Sequence, residues 1–281
     1  MIYESFDGLA APILATFAWC LGIGLSSYYL VFKTRLFSHL IASPLVPPFL
    51  ALPAIMFAFL MGFMSSEAWQ NFSHARTALI NESSAISQIL NIPMQPLEFE
   101  NSSNQYVQSY LESVLTDEWS AKHHNESSSL EAQNALDKLE LNVWKMTGAC
   151  NQSVNKPSIC TDPIAISAIV KAIGDLRNAR TQRLSLGYQE SVDTKWFLGI
   201  FLGLIAALTV AAVHRSNAKT GATALVLFCL SMWISFCMVT LYINPYKWAD
   251  RLDPAPLGLI LEVLKSGHNK RLKPTIVFWC L

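Results

Sequence analysis

The stretch Met64–Leu90, "MSSEAWQNFSHARTALINESSAISQIL", decides how this chain is built. It leaves an apolar run at Met64 and contains neither Pro nor Gly, the residues least compatible with a helix interior. Phe72, Ala75, Leu79, Glu82, Ile86 and Ile89 recur at alternating spacings of three and four, a mostly apolar seam along one helix face. The pattern predicts one helix over Ala54–Ile92, about 58 Å long at 1.5 Å per residue. Pro93 and Pro96 then end it. Trp69, just past Glu67, suits a water–hydrocarbon boundary, where an indole is favoured. The stretch therefore carries a helix out of a membrane and into water.

The composition agrees. The 281 residues are 52% hydrophobic and 14% charged, against about 25% charged in an average soluble domain. Formal net charge is zero, so nothing suggests a nucleic-acid partner. Four blocks, Leu9–Phe32, Leu45–Ser66, Trp196–Val213 and Ala222–Ile243, contain no Lys, Arg, Asp or Glu. Each matches the roughly 20 apolar residues that a spanning helix needs. The first block is read as a retained span, because Glu4 and Asp7 precede it without the basic residues of a signal peptide.

The expected fold class is all-α. Transmembrane helices 1 and 2 occupy residues 1–66, an extramembrane helical bundle 67–194, transmembrane helices 3 and 4 195–243, and a C-terminal tail 244–281. A second long helix begins at Thr161 or Asp162 with Pro163 in its first turn. Its apolar face is Ile166, Ile169, Val170, Ile173 and Leu176. No Pro occurs from Ile164 to Asn244, so this helix can continue into the third span, with Gly174 and Gly187 as weak points costing about 1 kcal/mol each. Two shorter amphipathic helices, Tyr106–Lys122 and Leu130–Met146, lie between, flanked by polar loops of which "EFENSSNQ" is the first. The result is an antiparallel bundle on two stalk helices continuous with spans two and three.

Flanking charge sets the orientation. Lys33 and Arg35 follow the first block, and Arg215 and Lys219 lie between the third and fourth. These loops are expected in the cytoplasm of a bacterial cell, with residues 67–194 in the periplasm. Cys150 and Cys160 in "CNQSVNKPSIC" could there close a small disulfide loop; in a cytoplasmic loop they would be two reduced thiols.

Signatures of chemistry are sparse. No P-loop, G-x-G-x-x-G, H-E-x-x-H or G-x-S-x-G is present, so neither an enzyme nor a cofactor is expected. Glu118, His123, His124 and Glu126 cluster in "EWSAKHHNE", but adjacent histidines in a Ser-rich loop read as solvated, and no metal site is expected. Spans without ionisable side chains argue against a proton-coupled transporter and leave room for a neutral-walled pore. A membrane-anchored sensor or interaction module is the rival class.

The sharpest polar feature is Arg177, Arg180 and Arg183 in "LRNARTQRL". Spaced by three, they share one broad helix face, either solvated or turned toward carboxylates of the other stalk helix or of another subunit. If Glu67 and Lys195 mark one membrane height, residues equally distant from them are neighbours. Glu82 and Arg180 are each 15 residues away, so they are expected to pair. Arg76 and Glu190 form a looser second pair, offset by about one turn.

Four stretches in order carry a family resemblance: "VPPFLALPAIMFAFLMGFMSSEAWQNFSHARTAL", "LRNARTQRLSLG", "TKWFLGIFLGLIAALTVAAVHRSNAKTGATALVLF" and "INPYKWADRLDPAPL". Over roughly Pro44 to Lys265 the chain resembles the bestrophin-like family of bacterial membrane proteins, a domain of unknown function. Matching positions are Glu67, Trp69, Arg76, Arg177, Arg180, Arg183, Lys195, Trp196, His214, Pro245 and Pro256. The family's Arg-Pro-Phe turn reads Asn244-Pro245-Tyr246 here, so its arginine has no counterpart. The resemblance implies a membrane-embedded homo-oligomer in contact with lipid, on the pattern of the bestrophin anion channels. Bestrophins carry their soluble part in the cytoplasm, whereas the flanking charge here places it outside.

Overall fold

The computed structural model describes residues 2–34, 47–119, 128–152, 161–187, 192–243, 246 and 252–266. Helices, and no strands, occur among the described residues. The chain divides into two compact units: Met1–Phe72 with Gln189–Trp248, and Ser73–Tyr188 with Ala249–Leu281.

The first unit holds α1 (Ile2–Tyr28), which widens into a π-helical turn at Tyr29–Lys33, and the first part of α2 (Pro47–Asn91). It also holds α6 (Val192–Val213) and α7 (Ala218–Ile243). Among the described residues, four segments are long and apolar enough to cross a membrane: Ile13–Lys33, Ala51–Asn91, Thr194–Val213 and Ala218–Tyr242. α1 packs on α6 and α7, and α6 on α7. Their core draws Cys20 and Ile23 from α1, Phe57, Met61 and Met64 from α2, Ala206, Ala207 and Ala211 from α6, and Leu225, Met232 and Phe236 from α7. Three alanines on α6 let neighbouring backbones approach closely, as small residues do in membrane helix pairs. Trp196 stacks on Phe236 with ring centroids 5.5 Å apart. Large apolar side chains such as Leu14, Phe197 and Leu227 face outward, the pattern of a surface solvated by hydrocarbon.

One close approach depends on a glycine. A Cβ at Gly221 would lie 2.5 Å from the Phe32 ring and 3.2 Å from the His214 Cβ. Gly221→Val should therefore lower thermal stability by about 1–3 kcal/mol. Gly62→Ala, with nothing within 4 Å, should leave it unchanged or higher. Melting in detergent compares the two, and equal melting temperatures would remove the packing explanation.

The second unit holds the remainder of α2, then α3 (Leu97–Ser113) with its π-helical end Val114–Glu118, α4 (Leu130–Gln152), α5 (Pro163–Gly187) and α8 (Ala255–Lys265). α3 packs on α4 and α8, and α4 on α5. The α2 seam is buried at Ala75, Leu79, Glu82, Ile86 and Ile89. Val107 and Leu111 from α3, Leu136 and Leu139 from α4, Ile169 and Leu176 from α5, and Leu257 from α8 complete this core. Thr161 ties the start of α5 to the segment after α2: its hydroxyl accepts from the Gln95 N–H at 2.7 Å and donates to the Gln95 carbonyl at 3.0 Å.

Four expectations change. α2 begins at Pro47, not Ala54, and contains Pro53; two prolines at its start forfeit donors that a first turn leaves unused anyway, and Pro53 forfeits one bond. "EFENSSNQ" is helix, not loop, because Pro96 precedes the first turn of α3 and Glu98 and Glu100 complement its dipole. Two helices stand where one was expected between Pro163 and the third span: α5 ends at Gly187 and α6 begins at Val192. Residues 188–191, between them, lie outside the described residues. Part of the presumed tail is α8, whose Lys265 Nζ reaches Glu112 Oε1 at 2.9 Å. Cys160 and the side chain of Cys150 lie outside the described residues, as do His123, His124 and Glu126.

Candidate functional site

Three seams of the second unit carry buried charge. On α5, Ile169, Ile173, Leu176, Arg180 and Arg183 follow one another at spacings of four, three, four and three, the repeat of a buried helix stripe. The two arginines thus continue the apolar face. Glu82 holds the same position on α2, between Leu79 and Ile86. Glu118 closes the π-helical end of α3, one turn beyond Val114. All four charged side chains are buried, Glu82, Glu118 and Arg183 completely.

Together they form one network. Arg183 grips Glu82 with two donors, Nε to Oε2 at 2.7 Å and Nη2 to Oε1 at 3.2 Å. The same Nη2 donates to Glu118 Oε2 at 2.6 Å. Arg180 Nη2 donates to Glu118 Oε1 at 2.6 Å and to the Ser129 carbonyl at 3.0 Å, and its Nη1 to Gln133 Oε1 at 2.7 Å. The Ser129 N–H donates to Glu118 Oε1 at 3.0 Å. Tyr110 donates its hydroxyl to Glu82, and the Trp119 ring lies 5.1 Å from the Arg183 guanidinium carbon. Two positive and two negative charges balance, which is what permits their burial.

The electrostatics follow from that balance. Burial alone would raise the Glu118 carboxyl, but the Arg183 and Arg180 guanidiniums outweigh it and hold it below the usual carboxylate range. Burial opposes the charge on Arg183 too, yet Glu82 and Glu118 push its value upward. The Tyr110 phenol is raised well above its ordinary value, first by burial and then by the Glu82 carboxylate, so it remains a donor. The folded value of Glu118 lies below its unfolded one. Its contribution is therefore present above about 4.3, the unfolded value, and is lost as pH falls through the lowered value. Urea midpoints should stay constant from about pH 8 to about pH 5 and fall below about pH 4. A midpoint that rises on acidification would contradict this network.

The expected Glu82–Arg180 pair is corrected: Glu82 pairs with Arg183, and Arg180 with Glu118. Counting equal steps assumed one unbroken helix from Arg180 to Lys195, and α5 and α6 are separate. The anchor itself holds, with Lys195 Nζ 2.6 Å from both Glu67 carboxylate oxygens. Arg76 is exposed, and Glu190 lies outside the described residues. Arg177 points to the surface, where it meets Asp137 at 2.6 Å and Glu140 at 2.7 Å.

A second feature lies on α2. Opposite its buried seam, Leu52, Ile55, Phe59 and Phe63 are exposed, and Ser66, Gln70, Ser73, Thr77, Asn81 and Gln88 continue the same face. Steps of three, four and, at the last, seven keep these residues on one side of the helix. The face is apolar, then hydroxyl and amide, and carries no charge. Gln70 Nε2 donates to Ser66 Oγ at 3.2 Å and Thr77 Oγ1 to the Ser73 carbonyl at 2.9 Å.

The sequence matches the Bestrophin-like domain over residues 15–257. The chain belongs to the bestrophin-like family. Solved structures of a bacterial bestrophin homologue from Klebsiella pneumoniae have a similar fold. A tryptophan-to-alanine variant is 14% identical with a TM-score of 0.66, covering 90% of this chain and 97% of that one. A leucine-to-threonine variant is 14% identical at 0.62, covering 92% and 98%. No curated protein matches the sequence. This bestrophin-like chain is an integral membrane protein, and the matched stretch takes in nearly all of the first apolar span found among the described residues, the whole of the other three, and every residue of the buried network. Its sequence reading missed Glu118, Tyr110, Ser129 and Gln133 as partners. The signal for Arg180, Arg183 and Glu82 was present, since each occupies a seam position in its own helix.

Proposed function

We propose that this bestrophin-like protein forms an anion-conducting pore as a homo-oligomer, with the uncharged face of α2 turned toward the shared path. That face carries the proposal. It runs from Leu52 to Gln88 without a carboxylate to repel an anion. Its hydroxyl and amide groups donate hydrogen bonds that replace part of an anion's hydration, as neutral donors do in narrow pores. One helix cannot enclose a path, so conduction requires several copies around an axis. We read residues 67–194 as a helical extramembrane domain, which the charges flanking the far ends of the spans, Lys33, Arg35, Arg215 and Lys219, assign to the periplasmic side of an inner membrane.

Purified protein in mild detergent should have a mass several times 31.2 kDa. In a planar bilayer under a KCl gradient its current should reverse near the chloride equilibrium potential. A clean monomer that passes no current would leave a membrane-anchored sensor or interaction module instead. Cysteines at Ser128 and Ser216, both exposed, test orientation with an impermeant reagent in cells with a permeabilised outer membrane. Labelling at Ser128 alone supports the periplasmic assignment, and labelling at Ser216 alone inverts it.

A further inference from the structure

We propose that the buried Glu82–Arg183 pair is a register device, which fixes the rotation of α2 and so the aim of the polar half of its exposed face. The inference rests on the pore reading only for what that face does, not for how it is held. Two observations carry it. Residues 81 and 82 are adjacent, and Asn81 is exposed while Glu82 is completely buried. A turn of α2 by one residue, about 100°, in one direction would bring Glu82 to the exposed position that Asn81 holds. Within the seam, between the buried Leu79 and Ile86, Arg183 holds Glu82 by two parallel donors while Tyr110 donates to the same carboxylate. A forked guanidinium fixes direction as well as distance. Buried polar groups are best attested as setters of register, often at a cost in stability.

The test separates register from stability. In Glu82→Met with Arg183→Met, one positive and one negative charge leave together, and Glu118 keeps Arg180 at 2.6 Å. An apolar pair in place of a buried ion pair is often neutral or stabilising, so melting temperature should stay well above that of Arg183→Met alone and oligomer mass should be unchanged. Cysteines are placed singly at Thr77, exposed, and Ala78, buried, and their labelling rates by a soluble maleimide are measured above the background of native thiols. With the native pair Thr77→Cys should react far faster than Ala78→Cys. In the double variant that ratio should fall about ten-fold or more, equivalent to about 1.4 kcal/mol of orientational preference. A stable double variant with an unchanged ratio overturns the proposal. Should the methionine pair fail to fold, Arg183→Lys serves in its place. The ammonium keeps the charge but grips at a single point, so the ratio still falls, and an unchanged ratio overturns the proposal equally. The labelling does not depend on conduction. A protein that passes no current but shows the drop loses the pore and keeps the register device.

Discussion

Arg183→Met alone should destabilise the extramembrane unit by about 3–5 kcal/mol, because it leaves Glu82 buried without its cation and Glu118 with one cation instead of two. The completely buried guanidinium currently supplies three short contacts to two carboxylates. Removing it strands charge where water cannot reach. Arg177→Met is the internal control. Arg177 meets Asp137 and Glu140 at the surface, and exposed pairs contribute at most about 1 kcal/mol. Adding Glu82→Met to Arg183→Met should recover most of the loss, a coupling that a double-mutant cycle reads directly. Urea unfolding followed by helicity supplies all four corners. Equal midpoints for Arg183→Met and Arg177→Met would mean that the network contributes nothing beyond surface pairing.

A lysine at Phe59 should be tolerated, whereas one at Leu227 should not. Both side chains are exposed, 65% on α2 and 64% on α7, so exposure alone does not distinguish them. The difference is the medium. A cation that faces hydrocarbon near the middle of a span costs about 2.5–3.5 kcal/mol on insertion scales, about 60- to 300-fold in an equilibrium. A cation that faces a water-filled path costs little and attracts anions. Phe59→Lys should therefore reach the membrane at the level of the unsubstituted protein and raise anion current. Leu227→Lys should reduce the inserted, assembled fraction severely. If Phe59→Lys is depleted to the same degree, the face of α2 is solvated by lipid, and the pore loses its main support.

Local pattern was enough for much of this architecture. The four apolar blocks and the seam of α2 follow from residue type and spacing, because hydrocarbon length and helical period act on each segment separately. The start of α3 at Leu97 was equally local: Pro96 and two first-turn glutamates are a helix-start signal.

Charge pairing was a different matter. Taken alone, Glu82, Glu118, Arg180 and Arg183 each belong on a surface, because burying one unpaired ion costs several kcal/mol. Burial becomes favourable only when segments far apart in the chain meet, as Glu82 and Arg183 do across 101 residues. The choice between Arg180 and Arg183 was not local either. Both occupy seam positions on α5, so a slide of one turn leaves the hydrophobic pattern intact. Only the packed helices, with Glu118 held by the Ser129 N–H at 3.0 Å, decide which arginine reaches which carboxylate, because the pairing energy depends on distances that no spacing along a single helix specifies.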